Sequence, residues 1–307
     1  MGFVRESGEA HSFDEIEKHI PKVREDAIMQ FLHLIKKFAG IISDDSLWGD
    51  ETEFHIVHLD NAAKKARLSI GRCQLVPKIK DKDFEAQYEF GSWMIESISK
   101  NPFHIGCEPE EVRKNIQARR LGIEKYLTPE EFALTCPVFP LIGVGDFYHM
   151  KDSGFKEQHS VKVDSVLGLR KASVVPKSSE ELEEGKGEPV DPFRGGEKNF
   201  LTSSKFVPDY MVNTHPRYVT AARNIVLRRG EKLHMAVPMY KDKNTSFEPS
   251  EEEPIPGYIY MDTIVFSMGC CCLQQTFSTK GYHEARYLYD QLAIISPLMV
   301  NLLCVIR

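Results

Sequence analysis

The chain has 307 residues, a 42% hydrophobic fraction and a formal charge of −6, from 39 Lys and Arg against 45 Asp and Glu. That is enough for a real hydrophobic core and about two domains, and it excludes disordered, collagen-like and disulfide-scaffold chains. The acidic balance argues against a nucleic-acid binder or a polybasic membrane-surface protein, because both need surplus Lys and Arg to meet phosphates.

Charged residues rather than an apolar run follow Met1, so no signal peptide is expected, and Glu6 spoils a myristoylation pattern. Ser12-Phe13-Asp14-Glu15 fits a capping box. Behind it, Ile28, Phe31, Leu32, Leu34 and Ile35 mark a helical face reaching Phe38, with a kink or break expected at Pro21. Alternation from Trp48 to Leu59 predicts a strand, and Asn61 to Lys65 a turn into a second strand, Ala66 to Ile70. Pro109 to Leu127 reads as a helix, with Arg119 among its interspersed basic residues, and Ala133 to Phe139 as a strand. Between about Gly145 and Lys205 periodicity is lost, as in Ser178-Ser179-Glu180-Glu181, and a long surface loop is expected.

A helix from Tyr218 to Arg229 precedes strands at Lys232 to Tyr240, Tyr258 to Met268 and Cys270 to Phe277, and a last helix starts near His283. The apolar run Leu292 to Ile306 is shorter than the roughly 20 residues that span a bilayer and is interrupted by Ser296, Pro297 and Asn301, so it reads as a buried helix and no membrane contact is expected. Seven cysteines, an odd count without an export signal, point to reduced thiols and a cytoplasmic chain. Hairpin-like pairs dominate, so the expected fold is α+β with an antiparallel sheet.

Four clusters could carry chemistry. Glu51 and Glu53 share a strand face, about 6–7 Å apart, and His55 extends the row. Such carboxylates repel unless a cation or basic side chains intervene; an exposed face in water is the alternative. Glu89 and Glu96 have opposite parity on a straight strand, and a bend at Gly91 would bring them together into an oxygen-rich site of the kind Mg2+ prefers. Met268, Cys270, Cys272 and Gln274 would share one face of a strand as a pocket wall, with buried cysteines acting as small hydrophobes as the alternative. Arg217, Arg223, Arg228, Arg229 and Lys232 could grip phosphate or carboxylate, or form solvated helix surface. Neither a P-loop nor a GxGxxG motif occurs.

Taken in order, Trp48-Gly49-Asp50-Glu51-x-Glu53, Gly91-Ser92-x-Met94-Ile95-Glu96, His215-Pro216-Arg217, Arg228-Arg229-Gly230-Glu231-Lys232, Lys241-Asp242-Lys243-Asn244-Thr245, Cys271-Cys272-Leu273-Gln274 and Glu284-Ala285-Arg286-Tyr287-Leu288-Tyr289-Asp290-Gln291 resemble the catalytic subunit of eukaryotic glutamate-cysteine ligase. The resemblance runs from about Ser12 to Pro297, apart from the loop between about Gly145 and Lys205. Family members continue beyond the point where this chain ends, so residues 1–307 are expected to form the N-terminal half of the catalytic domain.

The resemblance implies a glutamine synthetase-like fold with a curved antiparallel sheet, and ATP-dependent ligation of L-glutamate to L-cysteine through a γ-glutamyl phosphate. It further implies Mg2+ on Glu51, Glu53, Glu89, Glu96 and Gln274, and an amino-acid pocket lined by Met268, Cys270 and Cys272. Phosphate or carboxylate contacts would come from Arg217, Arg228 and Arg229, and a regulatory (modifier) subunit is an implied partner. The alternatives are a non-catalytic chain that binds a full-length or regulatory subunit, and a Mg2+ or nucleotide-binding module without turnover. Where the family usually has Gly after the glutamate at position 96, this chain has Ser97.

Overall fold

One long strand organises the computed structural model, which describes residues 13–42, 45–150, 201–202, 204–229, 233–245 and 255–303. Ahead of it stand helices α1 (Phe13–Glu17) and α2 (Ile20–Phe38). Pro21 lies in the first turn of α2, where a missing N–H breaks no intrahelical bond, so it starts the helix instead of kinking it. The expected cap Ser12 lies outside the described residues.

The predicted hairpin forms from β1 (Leu47–Asp60) and β2 (Lys65–Ser69). Its turn is held by the Ala63 N–H donating to Asp60 Oδ1 at 2.9 Å. A second hairpin, β3 (Phe84–Tyr88) and β4 (Met94–Ser99), is followed by the short β5 (Phe103–His104). Helix α3 (Pro109–Glu124), with Pro at its N-terminus, leads to β6 (Glu131–Leu134) and β7 (Tyr148–His149). The chain then forms α4 (Pro216–Arg229), β8 (Met235–Pro238), β9 (Tyr258–Met261), the one-turn α5 (Val265–Met268), β10 (Leu273–Phe277) and α6 (Tyr282–Leu303).

Strand β1 is the hub. Along one edge it pairs successively with β5, β4 and β2, and along the other with β10 and β6. All these pairings, and that of β3 with β4, are antiparallel, whereas β2 and β7 pair in parallel. The curled sheet is therefore mixed, within an α+β fold, and this corrects the purely antiparallel expectation. The long connection from β2 to β7 lets the chain return in the same direction, which a tight turn cannot do.

Alternation sorts the hub strand into two faces. Phe54 and Ile56 pack on one face with Phe84, Ile95, Ala133 and Ile123 of α3. Helix α3 lies so close that a Cβ on Gly122 would stand 2.5 Å from a Phe84 ring carbon, so only glycine permits the approach. On the same face Arg119 forms a fully buried ion pair with Asp50 and donates to Ser97 O at 2.9 Å. The opposite face carries Glu51, Glu53, His55 and Val57; Val57 enters a larger core with Leu68, Trp93, Met94, Val219 and Ala222.

Several expected strands are shorter than the sequence implies. The run from Ala133 to Phe139 contributes only the end of β6, and Lys232 to Tyr240 contributes β8, with Lys232 itself outside the described residues. The run from Tyr258 to Met268 is cut at Asp262, which accepts bonds from Ser204 Oγ (2.5 Å) and Lys205 N (2.8 Å), and the chain turns there into α5. Most of the loop expected at 145–205 lies outside the described residues. The last helix forms, but it is not the buried helix expected: Ile294 and Leu298 are 69% and 62% exposed, because no described element covers that side. Among the described residues no helix is long and apolar enough to cross a membrane.

Candidate metal centre

Register places Glu53 directly opposite Glu96 on β4, and Glu51 opposite Gln274 on β10. Glu96 is paired in turn with Gln87, one residue before β3 ends. Glu89 follows in the connection between β3 and β4, where the chain doubles back at Gly91. A Cβ there would stand 2.8 Å from Met94 Sδ, so glycine lets the turn close on its own strand.

The residues just before α4 and within its first turn fix that connection. Asn213 Nδ2 donates to Glu89 O at 2.7 Å, Asn213 N to Phe90 O at 2.8 Å, and Tyr218 Oη to Tyr88 O at 2.6 Å. In consequence Glu53, Glu89 and Glu96, all buried, each present an oxygen within 4.8 Å of the others. The expected bend thus joins Glu89 to Glu96 despite their odd separation. Asn213 and Tyr218 are the residues that sequence reasoning missed, because their partners are backbone groups far away in the chain.

Among the described residues none of the three carboxylates has a Lys or Arg partner. Burial pushes Glu53 up from the usual carboxylate range, against hydrogen bonds from Cys272 and with the charge of Glu89 adding to the rise. Glu96 is pushed up to about 9, first by burial, then by its hydrogen bond to Glu89 and the charges of Glu89, Glu51 and Glu53. A raised folded-state pKa means the folded chain holds a proton that the unfolded chain releases, so stability is fully present below the unfolded pKa and is lost as pH rises through the folded one. Thermal melts of the cation-free protein are therefore expected to show stability falling between about pH 4.5 and 9 from Glu96, and a saturating divalent cation should flatten that slope. Buried carboxylate oxygens this close together, without a basic partner among the described residues, fit a hard divalent ion.

Around the trio, Glu51 is half-buried and acts on Glu96 through its charge. Gln274 Nε2 donates to Glu53 Oε1 at 3.5 Å. Cys272, an exposed residue, donates to the same carboxylate from both backbone N and Sγ, each at 2.9 Å, and its thiol is pushed up to about 12 by local desolvation and by Glu53. Cys270 is half-buried, with Sγ 3.4 Å from Phe266 O, and feels the charge of Glu53. Met268 stands in α5, 44% exposed, so the expected strand face shared by Met268, Cys270, Cys272 and Gln274 does not form; β10 begins only at Leu273.

His55 shares the face of Glu51 and Glu53 but is bonded to Trp93 rather than to the carboxylates. Its Nδ1 accepts the Trp93 Nε1–H at 2.9 Å, and burial pushes its pKa down to about 4. The basic cluster is not brought together either. Arg217 opens α4 beside Tyr218, while Arg228 lies over the Phe13 ring at 4.6 Å and Arg229 is exposed, roughly 16 Å further along the helix by its rise per residue. Ser97 turns to the opposite face from Glu96 and is buried beside Arg119, so its Cβ does not intrude on the carboxylates.

A family model for glutamate-cysteine ligase matches residues 2–304. The glutamate–cysteine ligase of Dictyostelium discoideum is 31% identical over 330 residues, which cover 98% of this chain and 46% of that protein. The Homo sapiens glutamate–cysteine ligase catalytic subunit is 32% identical over 320 residues, covering 98% and 44%, and the Saccharomyces cerevisiae glutamate–cysteine ligase 28% identical over 319 residues, covering 91% and 40%. The chain thus spans less than half the length of these relatives. With its ordered motifs and a family match over nearly its whole length, the chain belongs to the glutamate-cysteine ligase family.

Proposed function

We propose that this chain carries the cation-binding part of a ligase site that joins L-glutamate to L-cysteine at the expense of ATP, the first step of glutathione biosynthesis, in the cytoplasm. The observation that supports this most directly is the buried trio Glu53, Glu89 and Glu96, which has no basic partner among the described residues. These three would hold Mg2+, with Glu51 and Gln274 at the flanks. When bound, the cation supplies positive charge against phosphate oxygens during phosphoryl transfer.

In the proposed reaction the γ-carboxylate of glutamate attacks the γ-phosphate of ATP, and the cysteine amine displaces phosphate from the resulting γ-glutamyl phosphate. Cys270, Cys272 and Met268 would border the amino-acid pocket, Met268 from the turn of α5. Arg217, beside Tyr218 at the start of α4, is better placed for a phosphate or carboxylate than Arg228 or Arg229. Residues 1–307 would form the N-terminal half of a glutamine synthetase-like catalytic domain.

A second reading has its own observation. Apolar residues on α2 and α6, among them Phe31, Leu32, Ile294 and Leu298, are exposed, which suits a non-catalytic chain that docks on a full-length or regulatory (modifier) subunit. Incubating the purified chain with glutamate, cysteine, ATP and Mg2+ separates the two. Glutamate-dependent and Mg2+-dependent ADP release would show turnover in this chain itself; cation binding without any such release would favour the docking reading, or a cation or nucleotide-binding module without turnover.

A further inference from the structure

We infer that Cys272 is a positioning residue for the cation site, fixing the carboxylate of Glu53 through two donors of its own. The inference rests on the cation-binding reading of Glu53, Glu89 and Glu96 and adds a role for a side chain outside that trio. The register of β1 and β10 runs from Trp48 opposite Phe277 to Thr52 opposite Leu273, so Glu53 opposite Cys272 is the next pair. Half of that pair forms: Glu53 N–H donates to Cys272 O at 3.3 Å. An antiparallel ladder would complete it with the Cys272 N–H on Glu53 O.

Instead the Cys272 N–H is diverted to Glu53 Oε2, and the Cys272 Sγ–H donates to Glu53 Oε1, both at 2.9 Å. The ladder therefore ends where the glutamate side chain captures the next backbone donor. Gln274 Nε2 adds a longer contact to Oε1. A carboxylate held at both oxygens from one side cannot turn about its own axis, and its remaining lone pairs are kept toward Glu89 and Glu96. Neighbours that orient a ligand in this way are worth about 10–100-fold in metal affinity. A thiol is a weak donor, so the lower part of that range applies.

The test uses the full chain with Mn2+ as an electron paramagnetic resonance-visible probe, and compares wild type with Cys272→Ala, Cys272→Ser and Glu96→Gln. Cys272→Ala is expected to weaken Mn2+ binding about tenfold and Cys272→Ser, which restores a side-chain donor, to stay within about threefold of wild type. Equal affinity of wild type and the alanine variant, or a serine variant as weak as alanine, would overturn the role. A wild type that binds no Mn2+ would instead overturn the cation reading itself. The clamp has a signature that needs no metal: in the infrared S–H stretching region, the band missing from Cys272→Ser should lie at lower frequency than the other thiols and move up in Glu53→Gln. A Cys272 band at the frequency of an unbonded thiol would refute the hydrogen bond on which the inference stands.

Discussion

Glu96→Gln is expected to raise the thermal stability of the cation-free chain at pH 7 and to abolish its stabilisation by Mg2+. Burial and three neighbouring carboxylates drive the Glu96 pKa far upward, so at neutral pH the folded chain keeps a proton that the unfolded chain would give up. Glutamine has the shape of the protonated acid and escapes that cost, so the gain should be about 1–3 kcal/mol at pH 7 and fade toward pH 4.5. In a chain of this size each kcal/mol moves the melting temperature by about 2 °C. The same substitution removes a cation ligand. Since neighbours that only orient ligands are worth about 10–100-fold, loss of the ligand itself should weaken binding by more than about 100-fold. A wild type at 100 times its Kd gains about 2.7 kcal/mol from the cation, and the variant should gain nothing measurable. An unchanged Mg2+ response in Glu96→Gln would remove Glu96 from the site.

The largest loss of stability is expected at Arg119. Its guanidinium is buried against Asp50 and Ser97 O, and Asp50 Oδ2 is shared with Thr52 Oγ1 at 2.8 Å. Removing one member of such a pair leaves an uncompensated charge in the core, so Arg119→Met should cost about 3–5 kcal/mol. Replacing both partners, Asp50→Leu with Arg119→Met, should recover most of that loss, because an apolar pair of similar volume is often as stable as the ion pair. Denaturant melts of the single and double variants provide the measurement. A double variant as unstable as Arg119→Met alone would show that the pair's hydrogen bonds to the strand backbone, rather than its charge balance, hold α3 on the sheet.

The strand that carries Glu51 and Glu53 was legible because its period of two is local, and so was its hairpin partner. Glu89 and Glu96 were legible only conditionally: their parity was wrong for a straight strand, and Gly91 was the single local hint of the turn that corrects it. The cation reading drew its weight from the resemblance, since spacing alone favoured a solvated acidic face. The ion pair of Arg119 with Asp50 left no local trace. The two residues are 69 positions apart, and an Arg on an amphipathic helix reads as surface. The strand expected through Met268 failed for a related reason, because Asp262 takes its donors from Ser204 and Lys205, across a long stretch of chain. That break moved Met268 into a helical turn and left Cys272, immediately before β10, free to donate to Glu53. The apolar stretch of α6 was rightly helical, but periodicity says only that a face is apolar and not whether another element covers it.

Direct titration of the wild-type chain with Mn2+, followed by electron paramagnetic resonance, asks whether Glu53, Glu89 and Glu96 form a cation site. Saturable binding that Mg2+ displaces, and that is lost in each of Glu53→Gln, Glu89→Gln and Glu96→Gln, is the predicted result. Absence of saturable binding, or binding that survives all three substitutions, would contradict it.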